Sequence, residues 1–158
     1  MIGTIPRRLF LIVSVFAFLA TGARAFEIEK TEFVVGLSDG NYAPVYLPSD
    51  VVPLLPDRAC FGWRIKISGD EKLVFTREIL KLPEQPEYWS GEDDKYSTSQ
   101  ISEDRTTAIT DEYLPVVDGW VENYWCVSEG DPIGDCLLEV YFGDVPAGRF
   151  EFEIVSAD

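Results

Sequence analysis

A chain of 158 residues with no histidine excludes imidazole metal sites and every serine–histidine or cysteine–histidine pair before any motif is sought. Its 28 acidic and 13 basic side chains leave a net charge of −15, the wrong sign for gripping phosphate backbones or anionic lipid surfaces. Hydrophobic residues make up 46% of the chain and aromatic residues 13%, enough to build a packed core and to argue against wholesale disorder.

In chain order, the first segment has the pattern of a targeting signal. Arg7 and Arg8 precede an apolar run from Leu9 to Ala20, and Ala23-Arg24-Ala25 is a small–x–small cleavage pattern. The run is about twelve residues, short of the roughly 20 that cross a bilayer. A signal peptide is therefore expected over residues 1–25, with one mature domain over 26–158. Arg7-Arg8-Leu9-Phe10-Leu11 also resembles the twin-arginine export motif, but Pro6 stands where that motif prefers Ser or Thr. The general secretory route is favoured, with the bacterial periplasm as destination. Loss of Arg7, Arg8 and Arg24 leaves 10 basic and 28 acidic side chains, a net charge near −18.

The mature part reads as strands. Phe26–Leu37 is the first; its apolar residues change face between Phe26/Ile28 and Phe33/Val35/Leu37, which predicts a bulge or sheet switch near Lys30–Glu32. Ser38-Asp39-Gly40-Asn41 turns the chain. Pro44, Pro48, Pro53 and Pro56 punctuate the next stretch, and proline lacks a ladder donor. Val45–Leu47 and Val51–Leu55 therefore belong on an edge or in an extended connection. Cys60–Ile67 alternates, with Phe61, Trp63, Ile65 and Ile67 inward, and the chain returns after a turn as Lys72–Leu82. Between Pro83 and Gly119 the pattern weakens. Arg105–Thr110, rich in β-branched residues, predicts one strand, and 84–103 forms a long excursion free to carry function.

The C-terminal third is the most regular. Trp120–Val127, Cys136–Phe142 and Arg149–Val155 form three successive strands, with Leu138, Val140, Phe142, Phe150, Phe152 and Ile154 sharing one dry face. The links Ser128–Asp135 and Gly143–Gly148 hold the glycines, prolines and aspartates that end strands. An all-β, antiparallel sandwich of about seven strands is the expected fold.

Cys60, Cys126 and Cys136 suggest one disulfide and one spare thiol in an oxidising compartment. Cys126 and Cys136 flank a short link and are the favoured pair. Alternation offers a rival: Cys60 and Cys126 both point away from the core and could pair if their strands are neighbours. Spacings of this kind match no zinc or iron–sulfur pattern. Glu129, Asp131 and Asp135 in one link, and Glu92, Asp93 and Asp94 in another, are oxygen ligands of the kind calcium takes, but neither set has EF-hand spacing. No cofactor and no metal are expected. Paired carboxylates could serve a hydrolase, yet no spacing among so many acids singles out a pair. An enzyme is not expected.

Aromatic residues remain. Trp63 and Trp125 fit inward faces, whereas Trp120 and Tyr124 share the other face of their strand and, with Tyr88 and Trp89, could form a binding surface. A non-enzymatic binding or structural module is the expectation, with another exported protein as the partner and a carbohydrate as the alternative ligand.

Phe61-Gly62-Trp63 after Val52-Pro53, then Gly130-Asp131-Pro132-Ile133-Gly134 leading into Leu138–Phe142 and a closing Phe150-Glu151-Phe152, resembles the ending of bacterial immunoglobulin-like sandwich domains. In particular it is similar to an exported family of unknown function, over roughly Val52–Val155. The resemblance implies the fold and brings no activity with it.

Overall fold

A computed structural model describes residues 26–40, 43–89 and 98–157. The segment expected to be a signal peptide, and Glu92, Asp93 and Asp94, lie outside these residues. The described chain forms ten strands: β1 (Ile28–Leu37), β2 (Val45–Pro48), β3 (Val51–Leu54), β4 (Ala59–Ile67), β5 (Leu73–Lys81), β6 (Ser99–Ile101), β7 (Thr107–Pro115), β8 (Trp120–Cys126), β9 (Gly134–Phe142) and β10 (Val145–Ser156). They make two sheets, one ordered β2-β1-β4-β8 and the other β3-β10-β9-β5-β7-β6.

The sandwich is as expected, with three differences in detail. Ten strands replace seven, because β2 and β3 pair with different sheets and β6 occupies the end of the predicted excursion. β7 runs on to Pro115, since its acidic residues have partners: Asp111 accepts two hydrogen bonds from Arg77, at 2.7 Å each. Finally, β3 lies parallel to β10, so the sheet is mixed rather than purely antiparallel. The register shift in β1 falls between Ile28 and Lys30, beside the expected bulge.

Alternation fixes the interior. Trp63, Ile65 and Val121 from the four-stranded sheet meet Leu138, Val140, Phe152 and Ile154 from the six-stranded one, all at most 4% exposed. Phe150 is half-buried at the margin, 5.9 Å from Phe33 between ring centroids. The last link is shorter than expected. Gly143, at φ 58°, opens a tight β9–β10 loop, and β10 starts at Val145 with a register shift before Gly148. A positive φ at that first loop position suits glycine.

The cysteine pairing is corrected: the disulfide joins Cys60 to Cys126, not Cys126 to Cys136. β4 and β8 are neighbours, and Cys60 stands opposite Cys126 in their register, both on the outer face. The link after Cys126 crosses to the other layer, where Cys136 sits on the inner side of β9 as a buried free thiol opposite Phe152. Closeness along the chain is the wrong guide here; adjacency within a sheet decides the pairing.

Candidate functional site

Several places among the described residues carry chemistry or exposed surface. The first lies inside. The inner face of β5 runs Val74, Thr76, Glu78 and Leu80, so alternation directs a carboxyl group into the core. Glu78 is 2% exposed. Its Oε1 accepts hydrogen bonds from Trp63 Nε1 at 2.8 Å and Asn123 Nδ2 at 2.7 Å, and its Oε2 accepts one from Trp125 Nε1 at 2.9 Å. Asn123 Nδ2 also donates to Glu112 Oε1, at 2.7 Å. Trp63, Asn123 and Trp125 belong to the four-stranded sheet and both glutamates to the other, so the cluster ties the layers together.

Burial pushes the Glu78 pKa above the usual carboxylate range, the three N–H donors oppose it, and the nearby Glu112 charge adds to the rise. Burial raises Glu112 as well. The two carboxyl groups face the interior and are bridged by an amide, an arrangement that holds sheets in place. The sequence signal is positional: an acid at an inward position of an otherwise alternating strand.

The second place is the outer face of the four-stranded sheet. Tyr124 and Tyr46 approach from the two edge strands and meet with ring centroids 4.2 Å apart. They lie flat because Gly62 and Gly36 are beneath them; a Cβ on Gly62 would come within 2.6 Å of Tyr124, and one on Gly36 within 2.8 Å of Tyr46. Val34, between those glycines, is fully covered although it faces outward. Tyr124 donates its hydroxyl to Glu122 Oε2 at 2.9 Å. Burial and then that carboxylate raise the Tyr124 pKa, and burial and the Glu122 charge raise that of Tyr46. Farther along β8, the Arg64 guanidinium sits 5.1 Å above the Trp120 ring. Arg64 also pairs with Glu32, whose carboxyl the Lys30 hydrogen bond, followed by Arg64, holds below the usual range.

The four aromatic residues singled out from sequence thus fall into separate settings. Trp120 and Tyr124 share the outer face of β8, but Tyr124 stacks on Tyr46 and Trp120 lies under Arg64. Trp89 closes the open side of the sandwich, donating Nε1 to the Arg105 carbonyl at 2.9 Å. It stands between cavities of about 50 and 60 Å³, both also lined by Leu80 and Trp125. Tyr88, 54% exposed, lines the second of these. Neither cavity approaches the several hundred Å³ of an ordinary ligand pocket. Cys126 and Cys136, also singled out, lie in different sheets and are not bonded to each other.

The third place is β2, an edge strand among the described residues. Leu37 faces Val45 across the β1–β2 pair, and Leu47 follows Val45 on the same side. These three are 56%, 74% and 64% exposed, continuing the inner face where the other sheet no longer covers it. Fourth, a groove of about 630 Å³ runs over the outer side of β3, β10 and β9, with Asp50, Asp135, Glu151 and Glu153 beside Lys81. Among the described residues no three carboxylates gather as a metal site, and Asp131 accepts the Ser128 backbone N–H at 2.8 Å.

No curated protein matches the chain. Among solved structures, an immunoglobulin-like protein from Pseudomonas aeruginosa superposes with a TM-score of 0.56 at 17% identity, over 85% of this chain and 100% of that one. At that identity the likeness speaks for the fold alone, and it agrees with the two-layer architecture. The family model of the PM0630 beta sandwich domain matches residues 31–155, from within β1 nearly to the end of β10. The chain belongs to the PM0630 beta sandwich domain family.

Proposed function

We propose that this domain is an exported, non-enzymatic binding module that docks on another exported protein in the bacterial periplasm. One observation carries the proposal: Leu37, Val45 and Leu47 form a contiguous aliphatic row on a sheet edge with no further strand among the described residues, each more than half exposed. Scattered exposed aliphatics are ordinary, but a contiguous row beside unpaired strand backbone is a surface that another chain can cover. Pro44 and Pro48 bracket β2 and limit how far a further strand could extend along it. The −15 charge of the whole chain favours a neutral or basic partner and disfavours nucleic acid and anionic lipid. Export is supported by the residue pattern of 1–25 and is consistent with a disulfide that needs an oxidising compartment.

The test is capture from the exported fraction of the native cells, comparing the wild type with Val45→Asp and Leu47→Asp. A specific partner recovered by the wild type should fall by about tenfold with either variant, an anchor-residue effect. Equal recovery by all three proteins would remove the β2 edge from consideration. Carbohydrate binding is the second reading, favoured by exposed Tyr88 beside the Trp89–Trp125 cleft. A glycan array that gives no signal, or one unchanged in Tyr88→Ala, would dismiss it.

A further inference from the structure

We propose that Tyr46 and Tyr124 are an oxidative modification site, at which two equivalents of a peroxide-derived one-electron oxidant join the rings as an intramolecular dityrosine. The rings come from opposite edges of the four-stranded sheet, yet their centroids are 4.2 Å apart with planes inclined by 31°. Gly36 and Gly62 let both lie flat, so the approach is built into the backbone rather than left to chance rotamers. Both rings are half-buried, which leaves them within reach of an oxidant while restricting their motion. Among the other described tyrosines, Tyr113 is 66% exposed and its ring lies tilted against Phe75, with which no dityrosine can form.

The chemistry balances on groups at hand. Each phenol gives one electron to the oxidant and one proton to a base. For Tyr124 the base is Glu122, already accepting its hydroxyl at 2.9 Å; for Tyr46 it is solvent. The two phenoxyl radicals join through ring carbons ortho to oxygen, forming one C–C bond. The two hydrogens on those carbons then move to the oxygens, restoring both phenols. Two electrons and two protons leave in all, and a peroxide consumes them in becoming two waters. Fixed proximity makes this coupling outrun any between separate molecules. The product would tie edge strand β2 to edge strand β8 across the face that the Cys60–Cys126 disulfide already spans in part.

The experiment treats the purified chain at low concentration with hydrogen peroxide and a haem peroxidase. The expected product is a monomer lighter by two hydrogens in its intact mass, with blue dityrosine fluorescence. Its peptide map should join the peptides that contain Tyr46 and Tyr124. Tyr46→Phe and Tyr124→Phe, each checked for an unchanged circular dichroism spectrum, should lose about nine-tenths of the monomer's fluorescence. Glu122→Gln should slow its appearance several-fold. Overturning results are a peptide map that joins other tyrosines, dimers in place of a cross-linked monomer, or a signal that survives in Tyr46→Phe. An unchanged rate in Glu122→Gln would remove the carboxylate from the step. The map of the wild-type product decides the site even if a phenylalanine variant folds poorly.

Discussion

Replacing Glu78 by leucine tests whether the buried carboxyl group holds the two sheets together. In the native chain, Trp63 Nε1 and Trp125 Nε1 both donate to Glu78, whereas Asn123 has Glu112 as a second acceptor. Leucine would leave two indole N–H groups unpaired, the buried one of Trp63 at about 1–3 kcal/mol and the half-buried one of Trp125 at about 1 kcal/mol. It would also remove a carboxylate whose desolvation opposes folding near neutral pH, an offset of order 1–2 kcal/mol. The net loss is then about 2–4 kcal/mol near pH 5 and smaller near pH 7, where desolvation of the charged carboxylate offsets more of it. The sign comes from linkage. A carboxyl whose folded pKa lies above its unfolded value contributes most below the unfolded value, and that contribution fades as pH rises through the folded one. Urea unfolding followed by tryptophan fluorescence at the two pH values measures both quantities. A variant within about 0.5 kcal/mol of the wild type near pH 5, or a deficit that grows toward neutrality, would refute the reasoning.

Reduction of Cys60–Cys126, whose sequence separation is 66, should cost about 4 kcal/mol by the chain-entropy relation. A urea midpoint hardly moved by reductant would contradict that. Cys136 is buried, and burial pushes its thiol up to about 12; a thiol reagent should therefore label it only after denaturant is added, and rapid native labelling would show the β9 interior to be open. Gly62→Ala should cost 2 kcal/mol or more, roughly, because the new methyl group meets the Asn123 carbonyl and the Tyr124 ring. A thermal midpoint equal to that of the wild type would mean the ring is not seated on the strand. Stability should pass through a maximum as pH is lowered. Glu78 and Glu112 favour the acid side, whereas Glu32, held low chiefly by Lys30, and Asp111, held low by Arg77, lose their contribution as pH falls through their folded values. A stability curve that falls steadily from neutral to acid pH would show that the buried pair does not titrate as its burial requires.

The fold is legible wherever strand period and residue type agree. In β4, β9 and β10 the inward positions are almost all aliphatic or aromatic and every charged residue falls on an outward one, so alternation alone assigns the core. It is less legible where an edge is chosen by tertiary packing. Nothing in Val51–Leu54 says that it will run beside β10 in parallel, because four residues with a proline carry no direction signal. The cysteines show how a local cue can mislead. Alternation places Cys60 and Cys126 on the same outward face, but a short link makes Cys126–Cys136 look closer. The link changes layer, and chain separation says nothing about that. Trp120 and Tyr124 do share the outer face of β8, where Tyr46 from the far edge strand lies against Tyr124 and Arg64 covers Trp120, partners that strand period alone does not reveal. The legible sign is the pair of glycines within strands, Gly36 and Gly62, each of which marks a place where something must lie close to the backbone.

The core cluster also accounts for how aliphatic packing and polar contacts divide the work of specifying one structure. Leu138, Val140, Ile65 and Val121 supply burial, but such side chains would tolerate one sheet sliding over the other by a pleat. Glu78 would not. Its two oxygens meet donors from neighbouring strands β4 and β8 at once, and a shift of two residues in either layer would strand the carboxyl group and both indoles without partners. The disulfide ties the same two strands on the outside, so β4 and β8 are held in register on one face by a covalent bond and on the other by Glu78 of the facing sheet. A domain whose surface is strongly acidic thus buries one more acid at the place where alignment matters, and surrounds it with N–H donors rather than a cation.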